Sequence, residues 1–233
     1  PAKLDVDAVV VAVRPQGTSV TPVAADWLPD ELVRVITQDA AGLGITGGAD
    51  EVRRLPATGL RARTLVLTGL GEAGTDASTR EGAEALRRAA GAATRELAGV
   101  GSVALALPAQ DPAAVAAVAE GALLGAYRFS RYHEQEGPVA RIEVVTPSAR
   151  DKAARAALER AQVVAEAVHA TRDLVNTSPL DLFPAAFADA AKAAAKGTKV
   201  KVSVLDEKGL AAGGYGGILA VGQGSARGPR LVK

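Results

Sequence analysis

The sequence predicts an α/β protein: a three-layer α/β/α domain, a long connecting helix, and the opening elements of a second α/β unit. Three observations predict it. Short apolar runs without polar alternation recur at Val6–Val13, Thr64–Thr68 and Val103–Leu107, the pattern of strands covered on both faces. Ala-rich stretches long enough for helices lie between or after them. The two patterns alternate up to about Ala149, as in a parallel sheet flanked by helices.

The elements follow in order. Val6–Val13 is read as a buried strand ended by Arg14-Pro15, and Gln16–Ala25, with Gly17 and Pro22, as loop. Pro29-Asp30-Glu31 opens a helix carrying Leu32, Val33 and Ile36 on one face; Gly42 and Gly44 end it. Glu51–Leu55 is a short strand and Thr64–Thr68 a buried one. Thr79–Leu97 is a long helix, with Asp76 and Ser78 as candidate caps and Gly99 at its end. After the strand Val103–Leu107, Pro112 starts a helix to Tyr127. Ser130–Pro138 is polar loop and Arg141–Val145 a strand.

Ala149–Val175 reads as one long helix, with Ala157, Val164 and Val168 on one face and Asp151, Arg155 and Glu159 on another. A helix of that kind can bridge two domains. Beyond it, Asn176–Pro179 is a turn and Pro184–Lys196 an Ala-rich helix. Lys199–Leu205 alternates charged and apolar residues like an edge strand. Asp206–Ala212 is a short helix, Gly213–Gly217 a turn, Ile218–Val221 a buried strand and Gly222–Pro229 a loop. Arg230–Lys233 opens another apolar run. A strand begun and not closed is expected of a portion of a longer protein; Pro1 fits a start whose initiator Met was removed.

Composition narrows the function classes. The 233 residues carry 27 Lys+Arg against 26 Asp+Glu, a net charge of +1; a dedicated nucleic-acid binder carries a larger basic excess. There is no Cys and only 2 His, which excludes disulfides, thiol chemistry and His- or Cys-built metal centres. The apolar region Val103–Tyr127 is broken by Pro108, Asp111, Pro112 and Glu120, so it spans no bilayer, and Pro1–Val13 lacks the form of an export signal. The expected location is cytoplasmic, with no membrane partner.

The motifs are sparse. Gly69-Leu-Gly71-Glu-Ala-Gly74 matches the dinucleotide fingerprint G-x-G-x-x-G. Helix signals start only at Asp76–Thr79, however, and the first acid past the next strand, Asp111, lies well beyond the ~20-residue interval of a ribose-binding acid. The reading is a Gly-rich strand-to-helix turn. His133-Glu134 lacks the second His of H-E-x-x-H, since residue 137 is Gly. His169 is read as an ordinary helix residue. No G-x-S-x-G elbow exists. Arg53-Arg54, Arg61 with Arg63, and Arg87-Arg88 stand among acids without interleaved aromatics, a solvated surface. Asp181, Asp189, Asp206 and Glu207 fall on separate elements without ligand spacing.

Three segments, in order, carry a resemblance: Glu120-Gly-Ala-Leu-Leu-Gly-Ala-Tyr-Arg-Phe129; Arg172-Asp-Leu-Val-Asn-Thr-Ser-Pro179; and Gly214-Tyr-Gly-Gly-Ile-Leu-Ala-Val-Gly-Gln-Gly-Ser-Ala-Arg227 with Pro229-Arg-Leu-Val232. The set resembles the M17 leucyl aminopeptidases, or cytosol aminopeptidases, with Tyr215 where many members have Met, as in the actinobacterial branch. The resemblance implies a macro-domain-like N-terminal domain over 1–149, a connector helix over 150–175, and the beginning of the catalytic domain over 176–233. It also implies a homohexamer and two divalent metal ions, Mn, Zn or Mg, which activate a water to release N-terminal residues from peptides. In such a pair one ion polarises the carbonyl and both acidify the bridging water.

The family's metal ligands lie in motifs of the kind V-G-K-G-I-T-F-D and N-T-D-A-E-G-R, and neither occurs here. No catalytic, metal or cofactor-binding residue is therefore assigned within the chain, which is expected to be inactive alone. Gly214, Gly216 and Gly217 are read as a tight turn, and Asn176 and Thr177 as caps at the opening of the catalytic domain. The partners expected are peptide substrates and the rest of the catalytic domain. The alternative is a DNA-binding or regulatory module of the same family, with weak DNA binding. A small-ligand site of the macro type finds no marker in the sequence.

Overall fold

Strand β1 (Ala8–Gln16) is the centre of the sheet, and its first six residues are all buried. Alternate residues point to opposite faces of a strand. Ala8, Val10 and Ala12 accordingly join one core, and Val9, Val11 and Val13 the other. The parity repeats in β4 (Thr64–Gly69), where Val66 joins the first core and Leu65 and Leu67 the second. It repeats again in β5 (Ser102–Ala106), with Val103 and Leu105 against Ala104 and Ala106. A strand buried on both faces has no polar positions to alternate, which is why these segments read as continuous apolar runs.

The computed structural model describes residues 1–233. The main sheet has the order β3-β4-β1-β5-β6, with β2 pairing to β1. Parallel pairing joins β1 to β4, β1 to β5, and β5 to β6 (Arg141–Val144); β3 (Val52–Pro56) runs antiparallel along β4. Helix α1 (Asp30–Gln38) buries Leu32 and Ile36 in the second core. Helices α2 (Arg80–Glu96) and α3 (Pro112–Gly125) cover the first with Leu86, Ala89, Ala93, Val118 and Ala122. Helices thus cover both faces of the sheet.

The α2–α3 contact is built from small residues. A Cβ on Gly121 would stand 2.0 Å from the Arg87 carbonyl oxygen, and one on Gly125 2.1 Å from that of Gly91. Only glycine lets the two backbones approach this closely. Thr94 Oγ1 then donates across the contact to the Ala122 carbonyl at 2.9 Å. Arg87 binds Glu84 on its own helix at 2.6 Å and Glu120 on α3 at 3.0 Å.

Several elements differ from the sequence expectations. Gln16–Ala25 is not all loop: β2 (Ser19–Val23) forms a hairpin with β1, which continues through Arg14-Pro15-Gln16 and turns at Gly17-Thr18. Pro22 is accommodated because β2 is an edge strand, where a missing N–H breaks no inner ladder. The cap of α2 is Thr79, whose Oγ1 accepts from Gly82 N at 3.1 Å, while Asp76 accepts from Ser78 N within the preceding loop.

The chain divides into two compact units, Pro1–His169 and Ala170–Lys233, and the division falls within α4 (Lys152–Asn176). The first unit holds both cores. In the second, the elements are α5 (Pro184–Ala195), β7 (Val204–Leu205), α6 (Glu207–Ala212), α7 (Gly216–Gly222) and β8 (Leu231–Val232). The expected edge strand Lys199–Leu205 shrinks to β7, because its partner supplies only Leu231, Val232 and the Ser203–Lys233 backbone pair. The expected buried strand Ile218–Val221 is helical, with the Tyr215 carbonyl accepting from Ile218 and Leu219 N–H. A four-residue apolar run carries no period that separates strand from helix, and here no ladder partner is present to extend it. The only buried apolar side chains of this unit are Ala188 and Leu210.

Candidate functional site

The fingerprint-like glycines sit at the C-terminal end of β4, where α/β sheets commonly hold ligands. Their local geometry is packing. A Cβ on Gly69 would meet the Gly48 carbonyl oxygen at 1.8 Å, and Gly71 has φ +65° with its N–H on the Gly47 carbonyl at 2.9 Å. The glycines therefore let the 47–51 loop lie against the end of β4. Glu51 closes that loop by accepting from Thr46 N at 2.9 Å and Gly48 N at 3.2 Å.

Beside these glycines is a hollow of about 200 Å³, bordered by Glu72, Glu81, Glu84 and Arg88. Three carboxylates repel a pyrophosphate, and Arg88 is already engaged by Asp50 at 3.0 Å. That pairing holds the Asp50 carboxyl below its ordinary range, through the hydrogen bond first and the arginine charge second. Arg14 Nη2 reaches the Ala73 carbonyl at 3.3 Å, while its Nε is buried without a partner. The arrangement agrees with a strand-to-helix turn.

The acidic residues singled out in the second unit do not converge. Asp206 caps α6 by accepting from Gly209 N at 2.9 Å; Glu207 pairs with Arg230 at 2.5 Å; Asp189 pairs with Lys192 at 3.5 Å. No group of three or more His, Asp or Glu side chains is placed to hold a metal ion. His133 lies in the exposed loop before β6. His169 lies on α4, where Nε2 meets the Leu123 carbonyl at 3.0 Å and the ring lies 5.1 Å from that of Tyr127.

The arginine clusters are locally neutralised. Arg53 pairs with Glu51 at 3.3 Å, Arg54 with Glu96 at 3.7 Å, and Arg61 with Asp5 at 3.4 Å. No helix is long and apolar enough to cross a membrane.

Two of the segments quoted for the resemblance meet in the second unit. Arg227 Nη1 donates to the carbonyls of Pro179 at 3.2 Å and Leu180 at 2.7 Å, and its guanidinium lies 4.4 Å from the Phe183 ring centroid. Sequence reasoning missed this clamp, because no spacing rule links Arg227 to Phe183. Of the expected turn glycines, Gly214 has φ +73°, whereas Gly216 and Gly217 open α7. Thr177 sits just past α4, with its Oγ1 donating to the Asp173 carbonyl at 2.6 Å, while Asn176 is the last residue of that helix.

Residues 9–136 match the family described as "Cytosol aminopeptidase family, N-terminal domain", and residues 169–233 the "Cytosol aminopeptidase family, catalytic domain". A "probable cytosol aminopeptidase" of Streptomyces avermitilis is 52% identical over 202 residues, covering 82% of this chain and 39% of the relative. One from Streptomyces coelicolor is 46% identical over 258 residues, covering 99% and 48%. The chain spans less than half the length of these relatives. Among solved structures, a bottromycin maturation enzyme in complex with Mn is 29% identical, with a TM-score of 0.72 over 97% of this chain and 44% of that one. A tomato leucine aminopeptidase, 19% identical, has a TM-score of 0.77 over 98% and 47%, a likeness of fold.

Proposed function

Since the chain belongs to the cytosol aminopeptidase family, we propose that it is a portion of a metal-dependent leucyl aminopeptidase, a hydrolase that releases N-terminal amino acids from peptides. The observation that carries this reading is the ordered match to both domains of the family, first 9–136 and then 169–233. Residues 1–149 serve as the N-terminal domain, 150–175 as the connector, and 176–233 as the beginning of the catalytic domain. The working enzyme is a cytoplasmic homohexamer.

The chemistry assigned to the bound group is activation of a water by two divalent ions, Mn, Zn or Mg. We assign its ligands to the part of the relatives that this chain does not span; the absence here of motifs of the kind V-G-K-G-I-T-F-D and N-T-D-A-E-G-R supports that reading. The role of this chain is scaffolding. The two-faced sheet anchors the N-terminal domain, and the Arg227–Pro179 clamp fixes the opening of the catalytic domain.

The test compares the 233-residue chain with the same chain continued by a complete catalytic domain. Leucyl-anilide hydrolysis and calorimetric titration with Mn, Zn and Mg are measured on both. Tight metal uptake and turnover are expected from the longer protein alone. Turnover by the shorter chain would relocate the active site, and an inactive longer protein with every metal would remove the peptidase reading.

A further inference from the structure

The path of the main sheet ends at β3 on one side and at β6 on the other. An open strand edge offers unpaired N–H and C=O groups to another chain, and proteins usually block it. β3 is blocked: Arg53 folds back so that Nη1 donates to the Val52 carbonyl at 3.0 Å and Nε to that of Gly44 at 3.2 Å, and Pro56 ends the strand. β6 carries no such device. Its residues Arg141, Ile142, Glu143 and Val144 include no proline or lysine, each is at least partly exposed, and no strand pairs with its outer side. The Arg141 N–H bonds to the Gly101 carbonyl and the Val145 N–H to that of Leu105, both at 3.0 Å. Residues of odd number therefore face β5, and Ile142 and Val144 direct their backbone groups to the open edge. On the first-core face the edge is continued by an apolar groove of about 150 Å³ between Val115 of α3, Ile142 and Val144 of β6, and Leu158 of α4.

We propose that β6 is an interaction surface for a second copy of this chain, the two β6 strands pairing antiparallel about a two-fold axis through Ile142. The choice of occupant follows from charge complementarity. In antiparallel pairing, residues whose backbone groups point outward face one another, so a two-fold axis within β6 passes through a residue. An axis through Arg141 or Glu143 sets like charges directly opposite, which is destabilising. An axis through Val144 sets Glu143 against Val145 and leaves the carboxylate without a partner across the axis. An axis through Ile142 sets Arg141 of each copy opposite Glu143 of the other, twice. These are non-hydrogen-bonded positions, where Cα atoms stand about 4.5 Å apart and side chains meet. Arg141 and Glu143 already lie 3.5 Å apart within one chain, both partly exposed, so the pairing extends an existing ion pair into a network of four alternating charges. On the opposite face Ile142 meets its own copy beside the groove, which removes apolar surface from water at the same time. The contact uses the first unit only; it goes beyond the aminopeptidase reading and does not depend on it.

Analytical ultracentrifugation of the 233-residue chain measures the association. A concentration-dependent dimer is expected, weakened by salt. Arg141→Glu sets a carboxylate against Glu143 of the other copy, and Glu143→Arg sets a guanidinium against Arg141; each is expected to raise the dimer dissociation constant at least about tenfold. An equimolar mixture of the two variants again places opposite charges across the axis. It is expected to recover the association of the parent, which two misfolded variants would not do. Ile142→Pro removes an outward N–H and none of the bonds to β5, and is expected to give a monomer with the circular dichroism of the parent. A chain that stays monomeric at about 100 μM overturns the proposal. So does a mixture that associates no better than its components. An oligomer that all three variants leave unchanged is held by another surface and overturns it as well. None of these measurements reads hydrolysis, so failure of the contact leaves the aminopeptidase reading in place, and an inactive enzyme leaves the contact in place.

Discussion

Arg227 lies over the ring of Phe183, 4.4 Å from its centroid, while its Nη1 reaches the Pro179 and Leu180 carbonyls. One planar cation thereby joins the segment after α4 to the loop after α7. Lysine has a point charge in place of that plane and cannot stack and donate in the same way. Arg227→Lys is expected to cost about 1 kcal/mol locally. Faster amide exchange over 178–183, with the first unit unchanged, is the measurement; uniform exchange across variants would remove the clamp.

The close approach of α2 and α3 makes Gly121 intolerant. Gly121→Ala puts a methyl group 2.0 Å from the Arg87 carbonyl oxygen, so the helices must separate, at about 1–3 kcal/mol. Gly137→Ala, where no atom lies within 4 Å of the added carbon, is the control. The urea midpoint of the first unit should fall for the first variant and stay for the second.

Thr94 tests the hydrogen bond across the same contact. Thr94→Val keeps the shape and removes the donor to the Ala122 carbonyl. That carbonyl still accepts from Ala126 N at 3.0 Å, so no buried group is orphaned. The expected loss is about 1 kcal/mol, read from the same urea midpoint. A loss as large as that of Gly121→Ala would mean that the hydroxyl does more than bridge.

Asp7 gives a pH dependence. Ser102 donates to its Oδ2 from Oγ at 2.7 Å and from N at 2.9 Å. Those bonds, the side-chain one first, hold the carboxyl below its ordinary value against some opposition from burial. A carboxylate depressed in the folded state contributes stability above its unfolded pKa of about 3.9, and the contribution disappears as pH falls through the lower folded value. Asp7→Asn should therefore be less stable than the parent at neutral pH, with the difference shrinking in acid. A difference independent of pH would show that ionisation of Asp7 is not involved.

Duplex DNA is expected to bind weakly, without sequence preference and with steep salt dependence. The arginine clusters face their own acids, as in Arg53–Glu51 and Arg61–Asp5, so phosphates must compete with those acids; the binding that remains is electrostatic and is lost as salt rises. Sub-micromolar, site-specific binding at physiological salt would promote the regulatory alternative.

Much of the first unit was legible in the sequence for one physical reason. Its strands are buried on both faces, so the apolar runs at Val9–Val13, Leu65–Leu67 and Val103–Leu105 declare themselves without any knowledge of their neighbours. The helix signal at Pro112 was equally local, whereas the cap, the Asp111 carboxylate accepting from Ala113 and Ala114 N–H at 2.9 Å, was supplied by the structure. The three quoted segments identified the family on residue identity alone. Partner availability was a different matter. Tertiary structure decided that Ser19–Val23 is a strand, because β1 beyond Val11 offers an edge that β5 leaves open. It decided that Ile218–Val221 coils into α7, because no ladder partner lies beside it. It also assigned the Gly69–Gly74 glycines to the seat of the 47–51 loop, since only the approach of Gly48 to 1.8 Å of a would-be Cβ distinguishes a packing glycine from a phosphate-binding one. Periods and caps act between residues a few positions apart, whereas ladders, clamps and close backbone contacts act between residues that the chain brings together only on folding.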